Sequence, residues 1–192
     1  MTSWWWLRHG PTHEKTMVGW RDVPADLSDE VAIARLRACL PQEALLVSSD
    51  LARAVATADA VAGPGHQRLA PTADLREFNF GAWDGLTFDA VAARDPALSR
   101  AFWEAPGDVA APGGESWNDV AARVSGRVAK INRQAPEHVI AVAHIGVIMT
   151  QLQTALGISA HETLAHQIDN LSLTHLIWDG QDWSACEINR RV

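Results

Sequence analysis

Three short apolar runs each end in residues able to handle a phosphate. Trp4–Leu7 leads into Arg8-His9-Gly10-Pro11-Thr12, Ala44–Val47 into Ser48-Ser49-Asp50-Leu51-Ala52-Arg53, and Val139–Ala143 into His144-Ile145-Gly146. Two guanidiniums match the oxygens of a phosphate through forked, charge-assisted hydrogen bonds. A histidine kept neutral by neighbouring cations offers a ring nitrogen as nucleophile. A second histidine can donate to an oxygen whose charge develops in the transition state. In-line transfer to histidine also needs a proton donor for the leaving alcohol, and a carboxyl held partly protonated would serve. A lone His after a strand is usually a hydrogen-bonded core or loop residue, and a lone Arg near a helix start a surface ion pair. The convergence of three strand ends is what argues for a site.

Those ends meet only if the runs are neighbouring strands of one sheet. Trp4–Leu7, Ala44–Val47, Val139–Ala143 and Leu173–Trp178 read as buried strands, with Gly or Ser beyond them. Between them, helical spacing recurs. Ser28 is expected to cap a helix bearing Val31, Ala34, Leu36 and Leu40, stopped by Pro41. Ser49 or Asp50 is expected to cap a second, running through Val61 and ended by Gly63 and Pro64. Glu115–Gln134 reads as a longer amphipathic helix with Val120, Val124, Val128 and Ile131 on one stripe, and Ile148–Leu156 as another, closed by Gly157. Strands apolar on both faces, alternating with helices, predict an α/β three-layer sandwich with a mainly parallel central sheet and helices on both faces. Ligands of such sheets bind beyond the carboxyl ends of the strands. The expectation is a single domain over residues 1–192, with a cap-like insertion at about 78–114 rich in Trp, Phe, Asp, Pro and Gly.

The ordered blocks resemble a known family. Leu7-Arg8-His9-Gly10-Pro11-Thr12 resembles the RHG signature of the histidine phosphatase superfamily, in its phosphoglycerate mutase-like branch. Ser48-Ser49-Asp50-Leu51-Ala52-Arg53-Ala54 with Thr57-Ala58 is similar to the second-arginine helix of that family, and Leu75–Gly85 to its acidic loop. Gly113-Gly114-Glu115-Ser116 resembles the start of the helix after the insertion, and Val142-Ala143-His144 the second-histidine strand. The resemblance implies that His9 is the nucleophile that becomes phosphohistidine, and that Arg8, Arg53 and His144 hold the phosphoryl group. It also implies that Glu77 protonates the leaving oxygen and then activates water; the resemblance alone selects Glu77 among 23 acidic residues. Thr12 either adds a hydroxyl near the phosphate or only shapes the turn after Pro11. The implied activity is hydrolysis of a small-molecule phosphate monoester with neither cofactor nor metal. True mutases of the family are usually longer, so the phosphatase members, such as alpha-ribazole phosphatase, are the nearer comparison. Mutase-type phosphoryl transfer and a phosphate-recognition module without turnover are the alternatives.

Two positions depart from the family pattern. Lys15 stands where many members have Asn, and Ile145 where a glycine commonly follows the second histidine. Lys15 either replaces a phosphate-side hydrogen bond with a point charge or faces solvent. His161 and His166 in HETLAH resemble a zinc-binding pair with one residue too many. On a helix their rings would lie about 140° apart, unfit to share a metal. Among nine Trp, Trp4, Trp5 and Trp6 are expected to fill both sheet faces. Trp20, Trp83, Trp103 and Trp117 either pack or form an aromatic wall over the leaving group.

Composition sets the limits. The 192 residues, 47% hydrophobic and 20% charged, are ordinary globular composition; a fold of this size buries roughly 70% of the surface its unfolded chain exposes. The net charge of −7 argues against nucleic acid or an anionic membrane as partner. A small phosphate ester is not excluded, because the field at the strand ends matters more than the total. Cys39 and Cys186, far apart and in no CxxC arrangement, fit a reducing, cytoplasmic setting. No targeting segment or bilayer-length apolar run is expected, and the sequence leaves the oligomeric state open.

Overall fold

A run of fully buried residues, Val139 to Ala143, marks a strand covered on both faces, and it lies in the interior of the sheet. The computed structural model describes residues 1–192. Its six strands are β1 (Thr2–Arg8), β2 (Ala44–Ser48), β3 (His66–Arg68), β4 (His138–Ala143), β5 (Leu173–Trp178) and β6 (Trp183–Arg190). They lie in the order β3-β2-β4-β1-β5-β6. β3, β2, β4 and β1 are mutually parallel, β5 runs antiparallel to β1, and β6 antiparallel to β5. The predicted α/β architecture with a mainly parallel sheet is therefore observed, with the reversal confined to one side.

Alternation along the strands builds two cores. Trp4 and Trp6 stack with ring centroids 5.2 Å apart. They share a core with Val47, Val139, Ala141 and Leu176. Over that face pack α5 (Trp117–Asn132) and α6 (Ile145–Leu156), through Val120, Val124, Val128, Ile148 and Leu152. The other face carries Leu7, Leu46, Ile140 and Val142, with Trp5 packed against them, under α1 (Glu30–Cys39) and α2 (Ala52–Val61). The three tryptophans of β1 thus serve both faces.

Local signals decided some boundaries and not others. Ser116 and Asp119 form a reciprocal capping box that starts α5, and Gly157 ends α6 with φ 63°. Asp29, not Ser28, caps α1, accepting from the Ala32 N–H at 3.0 Å. The buried residues of α1 are Ile33 and Leu36, whereas Val31 is 61% exposed. Neither Ser49 nor Asp50 caps α2. Leu51 occupies that position, and the Ala52 N–H donates to Asp22 Oδ1 at 2.7 Å. Asp50 is instead gripped by Arg76 through two bonds of 2.7 Å. Helix α6 starts at Ile145, three residues before the predicted Ile148. β3 and β6 escaped the sequence reading: β3 is three polar residues, and β6 is a largely half-exposed edge.

The stretch 78–114 holds a one-turn 3-10 helix at Gly81–Trp83 and two short helices, α3 (Phe88–Arg94) and α4 (Pro96–Glu104). Trp83 is fully buried and donates its indole N–H to Asp95 at 2.7 Å. A last short helix, α7 (Ala160–Thr163), is opened by a Ser159–Glu162 capping box. It ends before His166, so His161 and His166 do not share a helix. No helix is long and apolar enough to cross a membrane.

Candidate active site

Parallel pairing of β1, β4 and β2 brings their carboxyl ends side by side. Arg8 is in register with Ala143, and Ser48 with Val142. His9 therefore sits beside His144, with ring centroids 5.0 Å apart. The His9 N–H donates to the Ala143 carbonyl at 3.0 Å, and the His9 carbonyl accepts from Asn170 Nδ2 at 2.8 Å. Both rings are buried, His144 fully.

Their hydrogen bonds fix complementary tautomers. His9 Nδ1 lies 2.7 Å from the Gly10 carbonyl, which can only accept. The proton is therefore on Nδ1, and Nε2 keeps its lone pair. Arg53 Nε, which can only donate, lies 3.2 Å from His144 Nδ1. That assigns the His144 proton to Nε2, an atom that is buried without a hydrogen-bond partner in the protein. Burial chiefly holds both imidazoles neutral, against the Gly10 bond in the case of His9, with Arg53 and Arg8 adding to the effect. His9 is pushed down to about 3, and His144 well below the usual histidine range. For His144 the neighbouring His9 is the second cause.

Arg53 is 1% exposed, and the loop after β1 holds it in place: Nη1 donates to the Arg21 carbonyl at 2.9 Å and Nη2 to the Gly19 carbonyl at 2.7 Å. With Nε on His144, three of its five N–H groups are engaged, leaving one on each terminal nitrogen. Arg8 donates Nη1 to the Ile168 carbonyl at 2.6 Å. Its Nε is buried without a protein partner.

Glu77 is 4% exposed and sits at the amino end of α6. Oε1 accepts from the Phe78 N–H at 3.0 Å and the Gly146 N–H at 3.1 Å. Burial raises its pKa, and this outweighs the opposing pull of the Phe78 N–H, Arg53, the Gly146 N–H and Arg8. A Cβ at Gly146 would collide with Glu77 Oε1 and the Phe78 ring. A glycine is therefore needed one residue later than Ile145. The Glu77 carbonyl is itself fixed twice, by Trp20 Nε1 at 2.8 Å and Arg123 Nη2 at 2.8 Å. Arg123 is in turn clamped by Glu115 at 2.7 and 2.9 Å.

Carboxylates occupy the two helix starts at the site. The first N–H of α2 is taken by Asp22, and that of Gly146 in α6 by Glu77. Positive charge for an anion therefore comes from the guanidiniums.

One cavity of about 380 Å³ connects these groups; Arg8, His9, Thr12, Arg53 and Glu77 line it. His144, fully buried, is not among the lining residues. Lys15 is exposed and outside the lining, while its neighbours Glu14 and Thr16 contribute to it. Trp103 and Trp117 line the cavity, Trp83 is in the core, and Trp20 reaches Glu77. No three His, Cys, Asp or Glu side chains cluster as a metal site would require. Sequence reasoning missed the roles of Gly146, Arg123 and Asn170, and placed Trp20 as packing or as an aromatic wall, not as a donor to the Glu77 carbonyl. Only Gly146 carried a local signal, being a glycine in the first turn of a helix.

The family model of the histidine phosphatase superfamily (branch 1) matches residues 4–191. The bifunctional protein Rv2228c of Mycobacterium tuberculosis is 36% identical over 166 residues, 85% of this chain and 43% of that protein. The chain thus spans less than half the length of the first curated relatives it matches. Among solved structures, YhfR of Bacillus stearothermophilus superposes with TM-score 0.88 at 28% identity, covering 98% of this chain and 97% of that one. The mycobacterial glucosyl-3-phosphoglycerate phosphatase Rv2419c, complexed with VO3, gives 0.85 at 30% identity, covering 97% and 98%. The chain belongs to the histidine phosphatase superfamily, branch 1.

Proposed function

We propose that this chain is a phosphomonoester hydrolase that passes the phosphoryl group through His9. The observation that carries the reading is the pair of opposite tautomers. His9 Nε2 has a free lone pair for attack on phosphorus, and His144 Nε2–H is free to donate to a phosphoryl oxygen. Arg8 and Arg53 neutralise the oxygens. In the first step His9 Nε2 bonds to phosphorus, the ester P–O bond breaks, and Glu77 gives its proton to the leaving alkoxide. In the second, Glu77 takes a proton from water, whose oxygen bonds to phosphorus as the P–N bond to His9 Nε2 breaks and phosphate is released. A carboxyl with a raised pKa suits both duties.

The cap-like segment 78–114 contributes Phe78, Phe88, Phe102 and Trp103 to the cavity lining and would supply the leaving-group wall. Mutase-type transfer is less well supported, because the cavity lining offers Arg8 and Arg53 as its only cations, with none left for a second anionic group. A binding module without turnover would have no use for a buried acid beside a neutral nucleophile. The test is turnover of p-nitrophenyl phosphate in chelator, with acid-avoiding capture of a phosphoryl adduct on the His9 peptide. His9→Ala is expected to abolish both, and equal rates for variant and wild type would overturn the mechanism.

A further inference from the structure

Resting on that reading, we propose that the alcohol this enzyme releases is aromatic or similarly bulky and apolar, with no second anionic group. The leaving oxygen must reach Glu77, so the rest of the leaving group begins beside the next residue, Phe78. From there a continuous chain of rings leads outward. Phe78 meets Phe102 at 6.1 Å edge to face, Phe102 meets Trp103 at 4.8 Å, and Trp103 meets Phe88 at 5.8 Å. All four line the cavity, and Phe88 is 60% exposed at the outer end. Aromatic residues thus mark a path from the acid to solvent, and offset or edge contacts with these rings favour an aromatic guest.

Charge points the same way. Arg8 and Arg53, the only cationic lining residues, belong to the phosphoryl end, and the other charged lining residues are Glu77 and Glu14. Arg21 pairs with Glu14 at 3.3 Å but does not line the cavity. A carboxylate or second phosphate on the substrate would lose its hydration against rings with no cation to meet it. Sugar hydroxyls would find few partners there, Thr12 and Thr16 being the neutral polar side chains of the lining. The volume of about 380 Å³ falls at the small end of ligand pockets. It suits a phosphoryl group joined to a compact ring system.

Leaving-group reactivity would confuse a comparison of aryl with alkyl esters, so the test uses esters of unactivated alcohols. 2-Phenylethyl phosphate is compared with glucose 6-phosphate and 3-phosphoglycerate by kcat/KM. The expected preference for the phenylethyl ester is about 100-fold, the part of the ring's burial realised in the transition state. Trp103→Ala should lower that ratio about 10-fold, and Phe88→Ser, at the exposed outer end, should lower it less. Because each ratio is measured within one variant, a partly destabilised protein still reports. Equal or greater kcat/KM for either polar ester, with His9→Ala inactive on all three, would overturn the substrate assignment and leave the phosphohistidine reading standing. Undiminished turnover by His9→Ala would instead overturn the mechanism on which it rests.

Discussion

Arg53 Nε donates to His144 Nδ1 at 3.2 Å, so a buried arginine sets which nitrogen of the second histidine carries the proton. In the proposed mechanism the guanidinium would act on the phosphate twice, directly through its terminal nitrogens and indirectly through His144. Lysine keeps the charge and loses the fork. Arg53→Lys is therefore expected to lower kcat by about 100-fold or more. Nitrogen NMR of the imidazoles should show His144 losing its single tautomer. An unchanged tautomer alongside lost activity would show that the direct contact alone matters.

Glu77→Gln separates the two steps. With p-nitrophenyl phosphate the leaving group needs little protonation, so the first step survives while hydrolysis of the phosphoenzyme loses its base. A burst of one equivalent of p-nitrophenol, followed by turnover slowed about 10²–10⁴-fold, is expected in stopped-flow absorbance. A slow steady rate without a burst would assign the loss to the first step.

Gly146→Ala places a methyl group against Glu77 Oε1 and the Phe78 ring. The neighbours must shift, at a cost of about 1–3 kcal/mol, and the acid moves with them. Urea denaturation should show the loss of stability and steady-state kinetics a lowered kcat. Wild-type values in both would mean that the α6 terminus relaxes freely.

The two histidines make stability depend on acidity. The folded-state pKa of His9, about 3, lies below its unfolded value of 6.5. Between those values the unfolded chain binds a proton that the folded chain refuses. Stability is complete above 6.5 and falls as the pH drops, by about 1.4 kcal/mol per pH unit for each such group. His144 acts in the same direction. Glu77, raised from 4.5, opposes them: its burial disfavours folding as the pH rises above 4.5 through its folded value. Urea midpoints measured from pH 7 to 4 should fall steeply in the wild type and less steeply in His9→Gln. Parallel curves would show that His9 is protonated in the folded protein.

Legibility in the sequence followed the range of the interaction. His9 and His144 were visible because each follows an apolar run that can only be a buried strand, and parallel neighbours must present their ends together. The α5 helix was visible from its apolar stripe and was expected from Glu115; its Ser116 cap, whose partner Asp119 is only three residues away, was not named. The start of α2 was not visible, since its partner Asp22 lies on the loop after β1, 30 positions earlier. Glu77 needed the family resemblance for the same reason. Its bond to Gly146 spans 69 residues, and the Arg123 bond to its carbonyl spans 46. Local pattern cannot rank one acid above another when distant segments create its environment. Lys15, by contrast, had two readings that only its exposure could separate.

The double grip on the Glu77 carbonyl by Trp20 and Arg123 divides the molecule at a single peptide. On one side the acid is anchored from the β1 loop and from α5; on the other, at Phe78, the ring-lined path begins. The two sides share a support in Glu115, which clamps Arg123 and also accepts the Asn79 N–H at 2.9 Å. Asp84, inside the insertion, accepts from the Gly19 and Arg21 N–H groups, whose carbonyls hold Arg53, so any redrawing of the insertion is felt in the loop that seats the guanidinium.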